Sequence, residues 1–199
     1  MQRTLQAHRP GQLGRRILPR TDKNTGRRGR RFAGNRQQYS PLKRRLALFL
    51  ASGCYLGLIP GAPGTYAAVA ATFAYYLTYR AGHKILPELH LSVIGLITVI
   101  GVLASSEVAR ASGKEDPQIV VIDEIAGQLL TFLFLPVNLL NLLLGTLLFR
   151  VFDIWKPYPV RKLELLGNGV GIMADDLLAG VYANLVLQVI LLVSSRLSW

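Results

Sequence analysis

IVVIDEIAGQLLTFLFLPVNLLNLLLGTLLFRVFDIW, residues 119–155, decides how this chain folds. Its charges sit only at the two ends, Asp123 and Glu124 at the start, Arg150 and Asp153 near the finish. Two apolar runs, 119–135 and 137–155, meet at Pro136-Val137-Asn138. Proline there removes a backbone donor and breaks a helix. Two helices joined by so short a turn run antiparallel, which returns Asp153 to the end that holds Asp123 and Glu124. The following loop, 156–169 (KPYPVRKLELLGNG), is polar enough to stay at that end. A third apolar run, 170–194, then starts there with Asp175-Asp176 in its first turns. Three acidic elements, far apart along the chain, are expected to meet at one end of one helix bundle.

Upstream, segment 89–109 is apolar and long enough to cross a hydrocarbon core of about 30 Å, and 65–80 is borderline. Segment 46–59 is too short to span and reads as an interfacial or re-entrant helix. Several runs are apolar around the whole helix, where a soluble bundle would show a polar stripe. The expected fold is all-α: a multi-helical integral membrane bundle of about four spanning helices plus that short one. Lys156, Arg161, Lys162, Arg110 and Lys114 flank the acidic end, which by the positive-inside rule faces the cytoplasm.

Composition agrees once the charge is located. Of 199 residues 51% are hydrophobic and 17% charged, and the formal net charge is +12. Residues 1–45 carry fourteen Lys/Arg against the one acid Asp22, which leaves nine Lys/Arg and ten acids for the rest. The basicity belongs to an arm, 1–45, too poor in apolar residues to fold alone and expected to be disordered. Residues 46–199 form the membrane-embedded domain. With only Phe32 and Tyr39 as stacking groups, nucleic acid is not the expected partner. An anionic leaflet suits the arm better, and an organellar transit peptide has a similar composition. Cys54, the single cysteine, is expected in the core. His8, His83 and His90 lie away from the acids, which argues against a His-ligated zinc site.

Carboxylates inside apolar helices cost about 2.5–3.5 kcal/mol each, and clustered ones repel. Such a group persists where it lines a wet cavity, pairs with cations or binds metal, and all-oxygen ligands select hard cations such as magnesium. Candidate ligands and catalytic groups are Asp123, Glu124, Asp153, Asp175 and Asp176. Arg150, Asp153 and Lys156 are spaced three apart on one helix face, two cations beside a carboxylate, which suits the oxygens of a phosphate. Gly127 and Gly180 each follow an acid by four residues, so that two helices can approach closely there. In Gly57-Leu58-Ile59-Pro60-Gly61-Ala62-Pro63-Gly64-Thr65 the glycines and prolines force a turn, and Thr65 is expected to cap the helix after it. Gly64 and Thr65 are candidate phosphate contacts, although no P-loop lysine accompanies them.

These segments resemble the phosphatidylglycerophosphatase A family of bacterial inner-membrane lipid phosphatases. The resemblance rests on Pro60 and Pro63-Gly64-Thr65, Asp123-Glu124-x-x-Gly127, Phe149-Arg150-x-Phe152-Asp153-x-x-Lys156-Pro157-x-Pro159, and Gly171-Ile172-Met173-x-Asp175-Asp176-x-x-Ala179-Gly180, over roughly residues 46–190. It implies a multi-pass protein whose active site faces the cytoplasm. It also implies magnesium-dependent hydrolysis of the phospholipid phosphatidylglycerophosphate to phosphatidylglycerol and inorganic phosphate, a step of phospholipid biosynthesis. On that reading Asp123, Glu124, Asp175 and Asp176 hold one or two magnesium ions, and Asp153 completes the metal site or orients water. Arg150 and Lys156 grip the phosphomonoester. Two departures stand out: Ala67-Ala68 replaces a Gly-Ser often found after the Pro-Gly-Thr turn, and the basic arm has no counterpart. The residues alone leave two rivals. A cation transporter would place its carboxylates nearer midplane. Another magnesium-dependent phospholipid-headgroup enzyme, a CDP-alcohol phosphotransferase, would carry Asp-Gly-x-x-Ala-Arg, which is absent.

Overall fold

Prolines and glycines set the helix ends. The computed structural model describes residues 40–82, 86–163 and 166–197, so most of the expected arm, together with His8 and His83, lies outside the described residues. The described residues form seven α-helices and one 3-10 turn, with no strand among them. Helix α1 (Pro41–Ala51) starts on Ser40, whose hydroxyl accepts from the Lys43 amide. It takes in Lys43, Arg44 and Arg45, ahead of the boundary expected at 46. The turn Leu56–Leu58 follows, then α2 (Pro63–Arg80) and α3 (Pro87–Ser112), each with proline in its first turn, where the missing N–H costs nothing. Gly113, at φ +71°, ends α3 in the left-handed conformation that glycine adopts freely. Helices α4 (Ile122–Thr131), α5 (Leu139–Trp155), α6 (Val160–Leu163) and α7 (Asn168–Leu197) complete the order.

Two local expectations need correction. Pro63 starts α2 after Ala62, so Thr65 lies inside the first turn and caps nothing. Cys54 is exposed, because α1 stops at Ala51 and Cys54 sits at φ 58° in the turn beyond.

The run 119–135 departs most from the expected hairpin. It is helical for only ten residues, about 15 Å at 1.5 Å each, half the thickness of a bilayer core. The Asn184 side-chain amide of α7 explains the stop. It donates to the Thr131 and Leu133 carbonyls at 2.9 and 2.8 Å, supplying partners that a continued helix would have supplied. Phe134 then turns through φ 63° before Pro136.

Among the described residues two helices are long and apolar enough to cross a membrane: α3, 26 residues, and α7, 30 residues, with mean hydropathy 2.0 and 2.1 over their best windows. By length and composition, α2 and α5 fall short of that mark. The distribution of side chains is inverted relative to a water-soluble bundle. Large apolar groups such as Leu96, Leu103, Leu143, Leu147, Leu185 and Leu192 are exposed. Much of the interior is small or polar, Ala67, Ala68, Ala126, Ala179 and Ala183 with Ser105, Gln128, Thr131 and Asn141, beside the enclosed Phe132, Phe149, Met173 and Leu187. Small interior residues let helices pack backbone to backbone, the usual device where no solvent drives apolar burial.

Candidate active site

One such close approach lies between α4 and α7. A methyl group on Gly127 would meet the Asp176 carbonyl oxygen at 2.5 Å, and one on Gly180 would collide with the Gly127 carbonyl. The two glycines that follow the acids by four residues therefore touch each other's helices. One turn along, the crossing brings the acidic pairs together. One carboxylate oxygen each from Asp123, Glu124 and Asp176 lies within 4.8 Å of the others. Asp123, Asp175 and Asp176 are buried, and Glu124 is half-buried with its Oε2 enclosed and without a hydrogen-bond partner among the described residues.

Sequence adjacency does not decide which acid joins which partner. Asp175, next to Asp176, accepts from Lys156 Nζ at 2.7 Å. Asp153 is paired with Arg150 three residues before it. The five carboxylates expected to form one ligand set thus divide. Three converge on a common point, and two hold the two cations expected to grip phosphate. Asp123-Glu124 occupies the first turn of α4, where the helix dipole favours anions. Asp175-Asp176 lies about two turns inside α7, beyond that help.

All five acids and Lys156 line one cavity of about 260 Å3. Arg150 is not among its lining residues; its guanidinium lies beside Gly64. A side chain on Gly64 would strike Glu124 Oε1 and come within 3.1 Å of Arg150 Nη1. The absence of a side chain there lets the turn lie against both groups. Gly61 and Pro63 of the same turn line the cavity, whereas Thr65 is not among its lining residues. Sequence reasoning missed the rim, which is formed by Glu115, Asp116 and Gln118 before α4 and by Gly167 and Asn168 at the start of α7. The charges in 114–116 were the available signal, but an isolated charged loop reads as a solvated connection. His90 lines a separate cavity of about 740 Å3 beside Pro136, at the other end of the bundle, and takes no part.

The donor set suits a hard cation. Three carboxylates meet in a largely buried place, and among the described residues Glu124 Oε2 has no hydrogen-bond partner there. Buried charge without compensation is strongly unfavourable, and a divalent ion supplies that compensation through oxygen ligands alone. Beside it stand two basic groups already oriented by carboxylates, which suits an anionic substrate.

Comparison with known proteins points the same way. The phosphatidylglycerophosphatase A family profile matches residues 49–191. A Bacteroides thetaiotaomicron protein, provisionally named a phosphatidylinositol-3-phosphatase, is 36% identical over 152 residues, covering 72% of this chain and 92% of its own. Phosphatidylglycerophosphatase A of Escherichia coli is 38% identical over 136 residues, 66% of this chain and 76% of its own. The Haemophilus influenzae protein of the same name is 36% identical over 140 residues, 69% of this chain and 83% of its own. No solved structure matches the chain. The profile takes in every carboxylate and cation of the cavity floor, and the chain belongs to the phosphatidylglycerophosphatase A family of phosphoric monoester hydrolases.

Proposed function

We propose that this chain is a magnesium-dependent lipid phosphatase that converts phosphatidylglycerophosphate to phosphatidylglycerol and inorganic phosphate in phospholipid biosynthesis. One observation carries the reading: three convergent carboxylates and the carboxylate-held Lys156 share a single cavity, with Arg150, paired to Asp153, beside it at Gly64. Asp123, Glu124 and Asp176 would hold magnesium, which neutralises phosphate charge and makes a water more acidic. Lys156 and Arg150 set positive charge against the phosphate oxygens, where it stabilises the transferring group. Asp175 and Asp153 keep those cations in place before substrate arrives, which lowers the reorganisation needed in the reaction. Gly64 leaves room for Glu124 and Arg150 against the turn, which shapes the pocket through Gly61 and Pro63.

The setting we propose is the bacterial inner membrane, with the cavity at the cytoplasmic face. Helices α2 and α5, 18 and 17 residues long, would complete a four-span bundle with α3 and α7, and α4 would enter only halfway. The exposed leucines of α3, α5 and α7 support contact with lipid. Arg110, Lys114, Arg161 and Lys162 lie at the cavity end, in keeping with the positive-inside rule.

The full chain, purified in mixed micelles with phosphatidylglycerophosphate, should release phosphate with magnesium, stop with EDTA, and resume when magnesium is restored. A well-folded preparation that releases none overturns the proposal. Faster release from phosphatidylinositol 3-phosphate would move the substrate to the headgroup in the Bacteroides relative's name.

A further inference from the structure

The cavity floor is charged, with the acids and Lys156, while the rim sets the neutral amides of Gln118 and Asn168 beside Glu115 and Asp116. We infer that these two amides recognise the polyol of the lipid headgroup by its free hydroxyl and so determine which lipid phosphomonoester the site accepts. The inference rests on the phosphatase reading and adds the residues that select the headgroup.

Asn168 is held in an unusual way for an exposed residue. It sits at φ 53°, directly after Gly167 at φ 66°. Among non-glycine residues, asparagine is one of the few that visit the left-handed region. The chain is pinned immediately afterwards: the Gly169 amide donates to Ser106 Oγ at 3.0 Å. A side chain on Gly169 would also collide with the Val102 carbonyl of α3. Asn168 is therefore held at the start of α7, next to a residue pinned on α3, and lines the same cavity as Gln118.

The chemistry of the rim narrows what it can bind. A side-chain amide both donates and accepts, which matches a hydroxyl, whereas a carboxylate only accepts and an ammonium only donates. Glu115 and Asp116 on the same loop make the rim a poor second seat for an anion, so the phosphate belongs on the floor beside Lys156. The volume agrees. About 260 Å3 equals roughly nine waters at ~30 Å3 each. That accommodates a phosphate and a three-carbon polyol, with acyl chains left outside.

Two lipids with identical acyl chains test the inference: phosphatidylglycerophosphate, and the analogue whose headgroup glycerol is replaced by propane-1,3-diol, which lacks the free hydroxyl. The wild-type chain should show kcat/KM about tenfold lower on the analogue, the effect of one lost hydrogen bond. Asn168→Gly keeps the left-handed backbone accessible while removing the amide, and Gln118→Ala removes the other. Each variant should reduce turnover of the glycerol lipid and leave the analogue's unchanged, bringing the two rates together. Equal wild-type rates on both lipids overturn the inference, as do variants that lose activity equally on both. Phosphate release from neither lipid by the wild-type chain removes the phosphatase reading, and the rim proposal with it.

Discussion

Asp123-Glu124 and Asp175-Asp176 look interchangeable along the chain, yet the fold treats them differently. In each pair the first aspartate accepts the backbone amide of its neighbour, at 3.1 Å in both cases. Both members of the first pair face the point where three carboxylates meet. In the second pair only Asp176 does, while Asp175 turns to Lys156. The local motif fixes which way each aspartate leans on its own helix, and what lies opposite decides its chemistry. The most severe way to break this division is Asp176→Asn. It should lower phosphate release about 10²–10³-fold or more, as expected when charge stabilisation at a reacting centre is removed. Magnesium titration of the residual activity should shift to higher concentration. Full turnover in that variant would remove Asp176 from the metal site.

The crossing that joins the pairs can be attacked without touching an acid. Gly180→Ala places a methyl group against the Gly127 carbonyl, where neither backbone can yield without moving a helix. Overpacking of this kind costs about 1–3 kcal/mol, so the melting temperature should fall. Activity should fall more than stability alone explains, by about 10²-fold, because a shift of roughly 1 Å between metal ligands is enough to lose that factor. Gly95→Ala is the control, since a side chain there meets nothing within 4 Å.

Asp175→Asn sharpens the comparison rather than breaking it. The Lys156 ammonium then donates to a neutral amide oxygen instead of a carboxylate; a hydrogen bond to a charged group is worth about 1.5–3 kcal/mol, so the loss is at most roughly ten- to a hundredfold. If Asp175 orients a phosphate-binding cation, the loss should fall mainly on kcat/KM for the lipid, and magnesium activation should stay where it was. A changed magnesium requirement would return Asp175 to the ligand set in which the sequence first put it.

Much of this site was legible before any coordinates. Carboxylates stand out in apolar runs because their burial is costly, and Pro136 turns one run back on the other. The glycine spacing after each acid also pointed to the crossing that the structure contains. The division of labour was not legible for Asp175, whose partner Lys156 lies across the loop 156–169 and depends on the path that loop takes. Nor was the rim, since Gln118 and Asn168 become neighbours of the site only through the way α3, α4 and α7 converge. The expected boundary of the 119–135 helix failed for a related reason. Nothing within 119–135 ends the helix at Thr131; the group that accounts for it, Asn184, is more than fifty residues away.

That distant cap yields the gentlest test. Asn184 lies eight residues beyond Asp176 on α7, about 12 Å along the axis, at the end of α4 opposite Asp123. Asn184→Leu leaves the Thr131 and Leu133 carbonyls without their side-chain donor and strands the Gln188 amide that donates to Asn184 at 2.7 Å. An unsatisfied buried acceptor costs about 1–3 kcal/mol, so thermal unfolding should come several degrees earlier. The acidic end of α4 is held independently by the Gly127–Gly180 crossing, and activity below the transition should change only a few-fold. A loss as deep as that of Asp176→Asn would mean that the half-helix transmits its far end directly to the site, and the two ends of α4 would have to be treated as one unit.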